Sequence, residues 1–458
     1  MEIEYTKIPG VVIIKPTKFN DNRGWFMETF SKDKYNIDFN GMQDNVSFTK
    51  TKGTIRGMHL QIGDHSQAKI VSCLKGKLLD VAYDLRKDSP TYLQKIAVEL
   101  SDENNYQLVI PRGLAHGFQT LSDDVIFMYK CDNLYDKPSE RCIHYLDKTF
   151  NMDWPIKDVI ISDKDKLGLT TEEYENSLHK VLITGASGLL GSALKRLLEQ
   201  MHFQVLAPSS QELDVTRLSL VDEYFAQNKP DIVVHCAAYT DVNKAETEKN
   251  LCNLINVVGT ANIKKACEKT GSKLAYISTE YVFDGTKEKP YLPNDTANPI
   301  NHYGFTKYLG ENIVRELDNS FIIRTSWLYD NYGNGFPQKI MKLAQTHPKI
   351  TVVDDQIGSP TYVVDLAKAI VSIVTTDNYG IYHVTNKDYC SFYEFAKKIC
   401  SLNNIDVSII PISSEEFRRK NPTSVLRPKN SRMEDNLHNI EMPTYEDALK
   451  RCLKKDNQ

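Results

Sequence analysis

The stretch Lys180-Val-Leu-Ile-Thr-Gly-Ala-Ser-Gly-Leu-Leu-Gly-Ser-Ala-Leu194 decides how this chain is organised. Apolar residues at 181–183, then Gly185, Gly188 and Gly191, then a helix-periodic run from Leu189 to Leu198 spell strand, tight turn and helix. That is the opening of a dinucleotide-binding α/β sheet. The glycines let the backbone turn sharply and approach a pyrophosphate, whose charge sits against free N–H groups at the positive end of the helix. Three glycines alone are weak evidence. Their position says more: a sheet of this kind starts at its first strand, and here about 180 residues come before it.

Downstream of the glycine turn, strands and helices alternate. Candidate strands at 180–184, 203–207, 231–236, 273–278, 321–325 and 349–353, with helical patterns such as 260–269 and 303–317 between them, predict a parallel, doubly wound sheet. Beyond Asp355, further helices and a strand at 380–384 are expected to form a smaller substrate-side region. Upstream, as far as Trp154, the pattern is of short strands at 11–15, 69–74, 77–83, 95–100, 106–110 and 125–130. They are separated by turn signals such as Lys52-Gly53, Lys75-Gly76, Asp88-Ser-Pro90 and Pro111-Arg-Gly113. This half reads as an antiparallel β-barrel or sandwich. Residues 163–179 turn polar and read as a linker, so the expected domains are 1–176 and 177–458.

The 458-residue length suits two cores rather than one, and 41% hydrophobic with 25% charged residues is the make-up of a soluble globular protein. No apolar run approaches the ~20 residues of a membrane span, and Met1-Glu-Ile-Glu4 lacks the start of a signal peptide, so a cytoplasmic protein with no membrane partner is expected. Nine scattered cysteines with no C-x-x-C suggest reduced thiols rather than a disulfide or zinc framework. A net charge of -4 argues against nucleic acid as a partner.

In the second half, Tyr303-Gly-Phe-Thr-Lys307 places a phenol and an ammonium on one helix face. Such a lysine can hold a cofactor ribose and lower the tyrosine pKa, leaving the phenol to move the proton that accompanies hydride transfer. Alone, the pair reads equally well as a solvated helix face. Upstream, however, the strand at 273–277 ends in Ser278-Thr279, hydroxyls at the carboxyl edge where open α/β sheets bind ligands.

With these residues in view, 180–458 resembles the extended short-chain dehydrogenases, a Rossmann-type α/β fold, and within them the dTDP-4-dehydrorhamnose reductases. The resemblance is carried by Thr184-Gly-Ala-Ser-Gly-Leu-Leu-Gly191, Cys236-Ala-Ala-Tyr-Thr-Asp-Val-Asn-Lys-Ala-Glu246, Ser278-Thr-Glu-Tyr-Val-Phe-Asp-Gly285, Asn301-His-Tyr-Gly-Phe-Thr-Lys307, Arg324-Thr-Ser-Trp-Leu-Tyr329 and Arg427-Pro-Lys-Asn-Ser-Arg432. It implies that Thr279 orients the sugar ketone, Tyr303 protonates the new alkoxide, and Lys307 holds the nicotinamide ribose. Thr240, Val242, Tyr281 and Trp327 are implied near the sugar. Gly185, Ser187, Gly188, Leu189, Leu190, Gly191, Ala237 and Ala238 are assigned to the cofactor. Glu280 departs from the family, which usually carries Asp there. After the second strand, Pro208-Ser-Ser-Gln211 lacks the carboxylate that would hold a ribose 2′-hydroxyl. NADPH is therefore favoured over NADH, with Ser209, Ser210 and Arg196 as candidate phosphate partners. Asp214 is placed near the adenine, or else as a helix N-cap before Thr216. The residues leave a divalent ion such as Mg2+ on this half open.

In the first half, His59 and His116 stand out. Pro111-Arg-Gly-Leu-Ala-His-Gly-Phe118 fits the P-x-G-x-x-H turn of cupin barrels, but residue 61 is Gln and no ligating Glu follows, so no metal is assigned and acid–base chemistry is favoured. His65 and His144 read as structural. This half resembles the dTDP-4-dehydrorhamnose 3,5-epimerases, cupin-like jelly rolls. The motifs are Asp21-Asn-Arg-Gly-Trp-Phe-Met-Glu28, Gln43-Asp-Asn-Val-Ser47, Arg56-Gly-Met-His59, Gln67-Ala-Lys69, the segment from Leu79 to Thr91, the His116 stretch and Phe127-Met-Tyr-Lys130. The resemblance implies His59 as the base beside the 4-keto group, Asp165 fixing its tautomer, and Tyr129 as the acid on the opposite face. Lys69 and Arg56, with His116, would stabilise the enolate, because inversion at carbon needs a base and an acid on opposite sides with cations between. Arg23 matches the nucleotide-diphosphate contact, and Glu28, Gln43 and Asn45 line the same cleft, some supplied by a strand-exchanged neighbour, so a homodimer through the barrel is expected. Leu60 and Ile143-His-Tyr-Leu-Asp-Lys148 depart from the family pattern. Asp163 competes with Asp165.

Together the two resemblances imply one chain that epimerises a dTDP-4-keto sugar and then reduces it. The rivals are another deoxysugar pathway, or a regulatory protein that binds nucleotides without turning them over.

Overall fold

A computed structural model of the chain describes residues 1–35, 37, 39–331 and 335–453. They form two compact units, Met1–Glu175 and Asn176–Gln458.

The front unit is built from two facing antiparallel sheets. One orders its strands Glu2–Tyr5, Val12–Lys15, Gln107–Ile110, Lys69–Lys75, Val125–Cys131 and Gln43–Thr49. The other orders Glu140–Cys142, Thr54–Gln61, Leu114–Thr120, Lys77–Asp84 and Lys95–Ser101, with Ile160–Ile161 added parallel to the start of Thr54–Gln61. Sequence-distant strands are neighbours, so the sheets form only as the whole unit folds. Between them lies a core of Val71, Leu78, Ala82, Leu108, Phe118 and Phe127. The outer face of the second sheet is covered by Ile143, Phe150, Trp154 and Tyr174, packed on Met58, Leu60, Val81 and Tyr83.

The stretch read as a linker is a working part of this unit. Asp163–Lys166 and Thr171–Asn176 are helical, Ser162 caps the first helix by accepting the Asp165 N–H, and the Tyr174 ring is buried. Its polarity comes from one solvated face of each short helix.

In the rear unit, Gln204–Leu206, Lys180–Thr184, Ile232–His235, Lys273–Thr279, Ser320–Thr325 and Gly380–His383 form one parallel sheet in that order. Helices Leu189–Gln200 and Val363–Val374 bury their apolar stripes on one face, and Leu218–Asn228, Thr260–Thr270 and His302–Val314 on the other. The sixth strand is Gly380–His383, paired with 321–324, and not the 349–353 stretch expected from the sequence. Lys349–Val353 pairs instead with Ser408–Ile412 in a separate two-stranded sheet. Its alternating exposure, with Lys349 and Thr351 out and Ile350 and Val352 in, belongs to a strand covered on one face and is incompatible with a sheet buried on both. Among the described residues no helix is long and apolar enough to cross a membrane. All nine cysteines are free, and every one is at least partly buried.

Two candidate active sites

The rear site grows from the turn after the first strand. Gly185 adopts φ +67°, and a Cβ there would come within 2.8 Å of Ala237 Cα. A Cβ on Gly191 would lie 2.4 Å from the Gly185 carbonyl oxygen. Only glycine lets these backbones approach so closely. Gly188 starts helix Leu189–Gln200 without a side-chain cap, so its first-turn N–H groups remain available to an anion.

These residues form one end of a cleft of about 1010 Å3. Gly185, Ser187, Gly188, Leu189, Leu190, Gly191, Asp214, Ala237 and Ala238 line it together with Thr240, Val242, Thr279, Tyr281, Tyr303, Lys307 and Trp327. Ser210 reaches the cleft wall, whereas Ser209 is held in the preceding turn, its N–H donating to Glu212 at 2.7 Å and its hydroxyl accepting the Glu212 N–H at 3.3 Å. Arg196 lies 3.7 Å from Asp330. Asp214 accepts from the Thr216 N–H and hydroxyl, while the next helix begins at Leu218, so Asp214 shapes a turn beside the cleft rather than capping that helix.

At the other end, the strand Lys273–Thr279 delivers Thr279, and helix His302–Val314, capped by Asn301 accepting the Gly304 N–H, delivers Tyr303 and Lys307 from one face. Burial raises the Tyr303 phenol above its ordinary value, with the charge of Glu280 adding to the effect. Burial pulls Lys307 down to about 7, while Glu311 pulls the other way. Lys307 Nζ sits 4.0 Å over the Tyr276 ring. The helix is locked to the sheet by Glu311, which receives Arg324 at 2.7 and 2.8 Å and Ser278 at 2.6 Å, all fully buried or nearly so. Trp327, with φ +47°, stacks on Phe392 at 3.6 Å and forms a fixed wall. Glu280, the departure from the family pattern, and Arg427, the first residue of the motif at 427–432, also line the cleft, although neither was assigned a catalytic or binding role. Arg427 lies in a stretch with no regular structure, where periodicity carries no signal and only the motif at 427–432 marked it.

The front site lies between the two sheets. His59 Nε2 is 2.8 Å from Asp165 Oδ1, and Asp165 Oδ2 accepts the Gly57 N–H at 3.3 Å. Burial works to raise the Asp165 carboxyl, but the His59 hydrogen bond and charge outweigh it and hold it below the ordinary value. Asp163, the rival, is 98% exposed and paired with Lys166. With Asp165 on Nε2, the free lone pair of a neutral His59 is on Nδ1. Cys142 is the cross-strand neighbour of His59, and its sulfur, the imidazole and Asp165 lie within 4.8 Å of one another.

On the next strand His116, also paired in register with His59, is buried and bonded to Asp80 at 2.9 Å. Asp80 escaped the sequence reading, though a carboxylate amid the apolar run Leu78–Tyr83 was its signal. Tyr129 comes from the opposite sheet, its ring tilted against Phe127 at 5.9 Å, and Phe127 in turn stacks on His116. Burial raises the Tyr129 phenol, and Arg56 opposes this. Lys69, half-buried on its strand, is pulled down by desolvation, against the opposing pull of Cys131, Asp80 and Glu140. Arg56, on the second sheet, donates to Thr49 and Phe48 on the edge strand of the first. Gln43 donates to Asn45 at 2.9 Å. Arg23 and Glu28 stand apart: Arg23, 85% exposed, pairs with Asp21, and Glu28 pairs with Lys34. The His65 carbonyl accepts from Gln61, and His144 accepts the Leu146 N–H on Nδ1 while its own backbone N–H donates to the Leu169 carbonyl.

A histidine–aspartate pair and a tyrosine on opposed sheets, followed in the chain by a glycine turn and a Thr–Tyr–Lys cluster, are the side chains that an epimerase joined to a reductase would need. Residues 5–173 match dTDP-4-dehydrorhamnose 3,5-epimerase, and residues 179–458 match the family described as the RmlD substrate binding domain. The chain belongs to this latter family, which spans more than half of its length, and joins to it a dTDP-4-dehydrorhamnose 3,5-epimerase domain; it is a bifunctional enzyme of the dTDP-rhamnose pathway. Over 244 residues it is 40% identical to the spore coat polysaccharide biosynthesis protein SpsK of Bacillus subtilis, covering 53% of this chain and 86% of that protein. Over 171 residues it is 44% identical to dTDP-4-dehydrorhamnose 3,5-epimerase of Shigella flexneri, covering 36% of this chain and 93% of the other. The crystal structure of dTDP-4-dehydrorhamnose reductase from Bacillus anthracis in complex with NADP is 42% identical, with a TM-score of 0.58 over 60% of this chain and 98% of that one.

Proposed function

We propose that the front domain, residues 1–176, inverts C3 and C5 of dTDP-4-dehydro-6-deoxy-D-glucose, and that the rear domain, residues 177–458, reduces C4 with NADPH to give dTDP-L-rhamnose. The front domain is assigned to the cupin-like jelly rolls and the rear to the Rossmann-type extended short-chain dehydrogenases, in keeping with the paired antiparallel sheets and the parallel sheet. The observation that carries the proposal is that one cleft joins the glycine turn to Thr279, Tyr303 and Lys307.

In the front domain, His59 Nδ1 removes the proton beside the 4-keto group, its tautomer held by Asp165. The negative charge that develops on the ketone oxygen is stabilised by Lys69 and Arg56, with His116 held by Asp80. Tyr129, whose burial keeps it protonated, returns a proton from the opposite sheet, and C3 and C5 are treated in turn. Arg23, Glu28, Gln43 and Asn45 are assigned to the nucleotide end. Arg23 and Glu28 reach it from a second copy of the chain, in keeping with their exposure on the front-domain surface. Exposed Phe19, Trp25 and Phe26 on the hairpin at 18–27, and Val46 and Phe48 on the edge strand, support a homodimer through this domain.

In the rear domain, the glycine turn and the uncapped helix fit a pyrophosphate, and Ser210 is placed to meet a ribose phosphate. Bound NADPH supplies the hydride to C4. Lys307 holds the nicotinamide ribose, Thr279 orients the ketone, and Tyr303 gives its phenolic proton to the C4 oxygen. The rise in the Tyr303 pKa suits an acid that must stay protonated until an alkoxide forms. Tyr281 and Trp327, with Thr240 and Val242, enclose the sugar. No nucleic acid or membrane takes part, and the reaction is placed in the cytoplasm.

Incubating the protein with dTDP-4-dehydro-6-deoxy-D-glucose and either NADPH or NADH tests the scheme. NADPH oxidation with dTDP-L-rhamnose as the product, identified by NMR, is expected. A different C3, C5 or C4 configuration would overturn the substrate assignment, and equal rates with NADH the cofactor assignment.

A further inference from the structure

Thr279 does not stand free at the end of its strand. Its Oγ1 donates to Glu280 Oε2 at 2.8 Å and accepts the Tyr281 N–H at 3.2 Å. Both side chains line the cleft, and they are buried to 6% and 4% exposure. A hydroxyl has a single proton to donate. While that proton is committed to the Glu280 carboxylate, none is left for a sugar carbonyl. Protonating Glu280 reverses the bond: the carboxylic O–H donates to Thr279 Oγ1. That oxygen then accepts from Glu280 and Tyr281, and its own proton is free to point into the cleft. Three neighbours are satisfied by one hydroxyl only in this second arrangement.

We propose that Glu280 is a positioning residue of the reductase: neutral, it turns the Thr279 hydroxyl proton toward the C4 carbonyl, and ionised, it holds that proton away. The proposal rests on the reductase assignment above. No proton is consumed by the switch itself; the proton delivered to the C4 oxygen still comes from Tyr303. The groups that face Glu280 are Thr279 and Tyr281 in its own turn, Tyr303 on the catalytic helix and Arg427 from the C-terminal region. Burial raises the Glu280 carboxyl to about 7, with Thr279 and the Arg427 charge pulling the other way. The switch therefore falls within the working pH of an ordinary enzyme. With Asp, the residue usual in related reductases, the carboxyl is one methylene shorter and meets the hydroxyl differently.

The test is the pH dependence of reduction by the full chain, from about pH 5.5 to about pH 9, with a separate 3,5-epimerase in excess so that reduction limits. Wild-type kcat/KM is expected to fall above about pH 7, with one more proton lost on the alkaline limb than in Glu280→Gln. The amide of this variant never ionises and can donate to Thr279 at every pH, so it should keep within roughly threefold of the acid plateau while losing the extra proton dependence. Any loss due to Lys307, which also titrates near this range, would remain in both and cancel in the comparison. Glu280→Asp should keep an alkaline limb at a displaced pH. A Glu280→Gln profile parallel to wild type at every pH would mean a structural role only and overturn the proposal, as would an unmoved limb in Glu280→Asp. Failure of wild-type protein to oxidise NADPH at any pH would instead overturn the reductase assignment.

Discussion

In the front unit the candidate acid and base stand on opposed sheets, His59 on Thr54–Gln61 and Tyr129 on Val125–Cys131, each in the body of its strand. In the rear unit Thr279, Tyr303 and Lys307 gather where one strand ends and one helix begins. The two chemistries ask for this difference. Inversion needs groups on both sides of a sugar ring, which two facing sheets provide. Reduction needs a hydride on one side and a proton at the oxygen, which suits the carboxyl edge of a single parallel sheet. The arrangements also read differently in sequence. A site built on strand interiors turns polar residues inward and erases the apolar alternation, whereas a site built at element ends leaves the elements intact.

The sharpest way to break the comparison is to disable each half and assay both. His59→Ala is expected to slow incorporation of solvent deuterium at C3 and C5 by up to about 10⁴-fold, and Tyr303→Phe to slow NADPH oxidation by about 10²–10⁴-fold. Each should leave the other half's reaction unchanged, with oxidation of dTDP-L-rhamnose by NADP+ reporting on the rear half alone. Loss of both activities in either variant would show that the halves do not work separately.

A smaller effect separates the two aspartates of the short helix. Asp165→Asn should slow epimerisation by roughly 10²-fold, because an amide can hold the imidazole in the wrong tautomer, while Asp163→Asn should be neutral. Equal effects from the two would dissolve the dyad.

The smallest effect concerns stability. Two histidines of the rear unit are buried and neutral: burial lowers His235 to about 3, with Lys307 contributing, and burial lowers His383 to about 3, with Arg324 contributing. Between that value and the ordinary 6.5, the unfolded chain binds protons that the folded chain refuses, so stability is full above pH 6.5 and falls as pH drops below it. One pH unit below the ordinary value, each histidine costs about 1.4 kcal/mol. The buried histidine of the front unit, His116, is instead bonded to a carboxylate. Calorimetry of the full chain should show the transition raised by NADPH moving down on acidification to about pH 5.5 more than the other. Equal movement of both transitions would remove these histidines as the cause.

Legibility in the sequence followed the same division. The rear strands 180–184, 231–236, 273–278 and 321–325 were readable because a parallel sheet buried on both faces leaves near-continuous apolar runs. In the front unit the readable strands were those whose apolar residues face the core. Gln43–Thr49, Thr54–Gln61 and Leu114–Thr120, which carry Asn45, His59 and His116, were missed as strands because their polar residues or glycines interrupt the pattern. Motifs recovered the residues where periodicity had lost the elements.

The sequence by itself determined what local geometry enforces. The glycine turn needs its spacing to bring backbone amides to an anion, and Tyr303 and Lys307 share a face because four residues make about one helical turn. Tertiary structure alone decided the pairings between distant segments. It chose Asp165 over Asp163 for a histidine 106 positions away, set Asp80 against His116, moved 349–353 out of the main sheet, and put Ser210 rather than Ser209 on the cleft wall. It also gave the Thr279 proton to Glu280. Adjacent residues of one type look alike along the chain, and they become distinct only when packing buries one and leaves its neighbour in water.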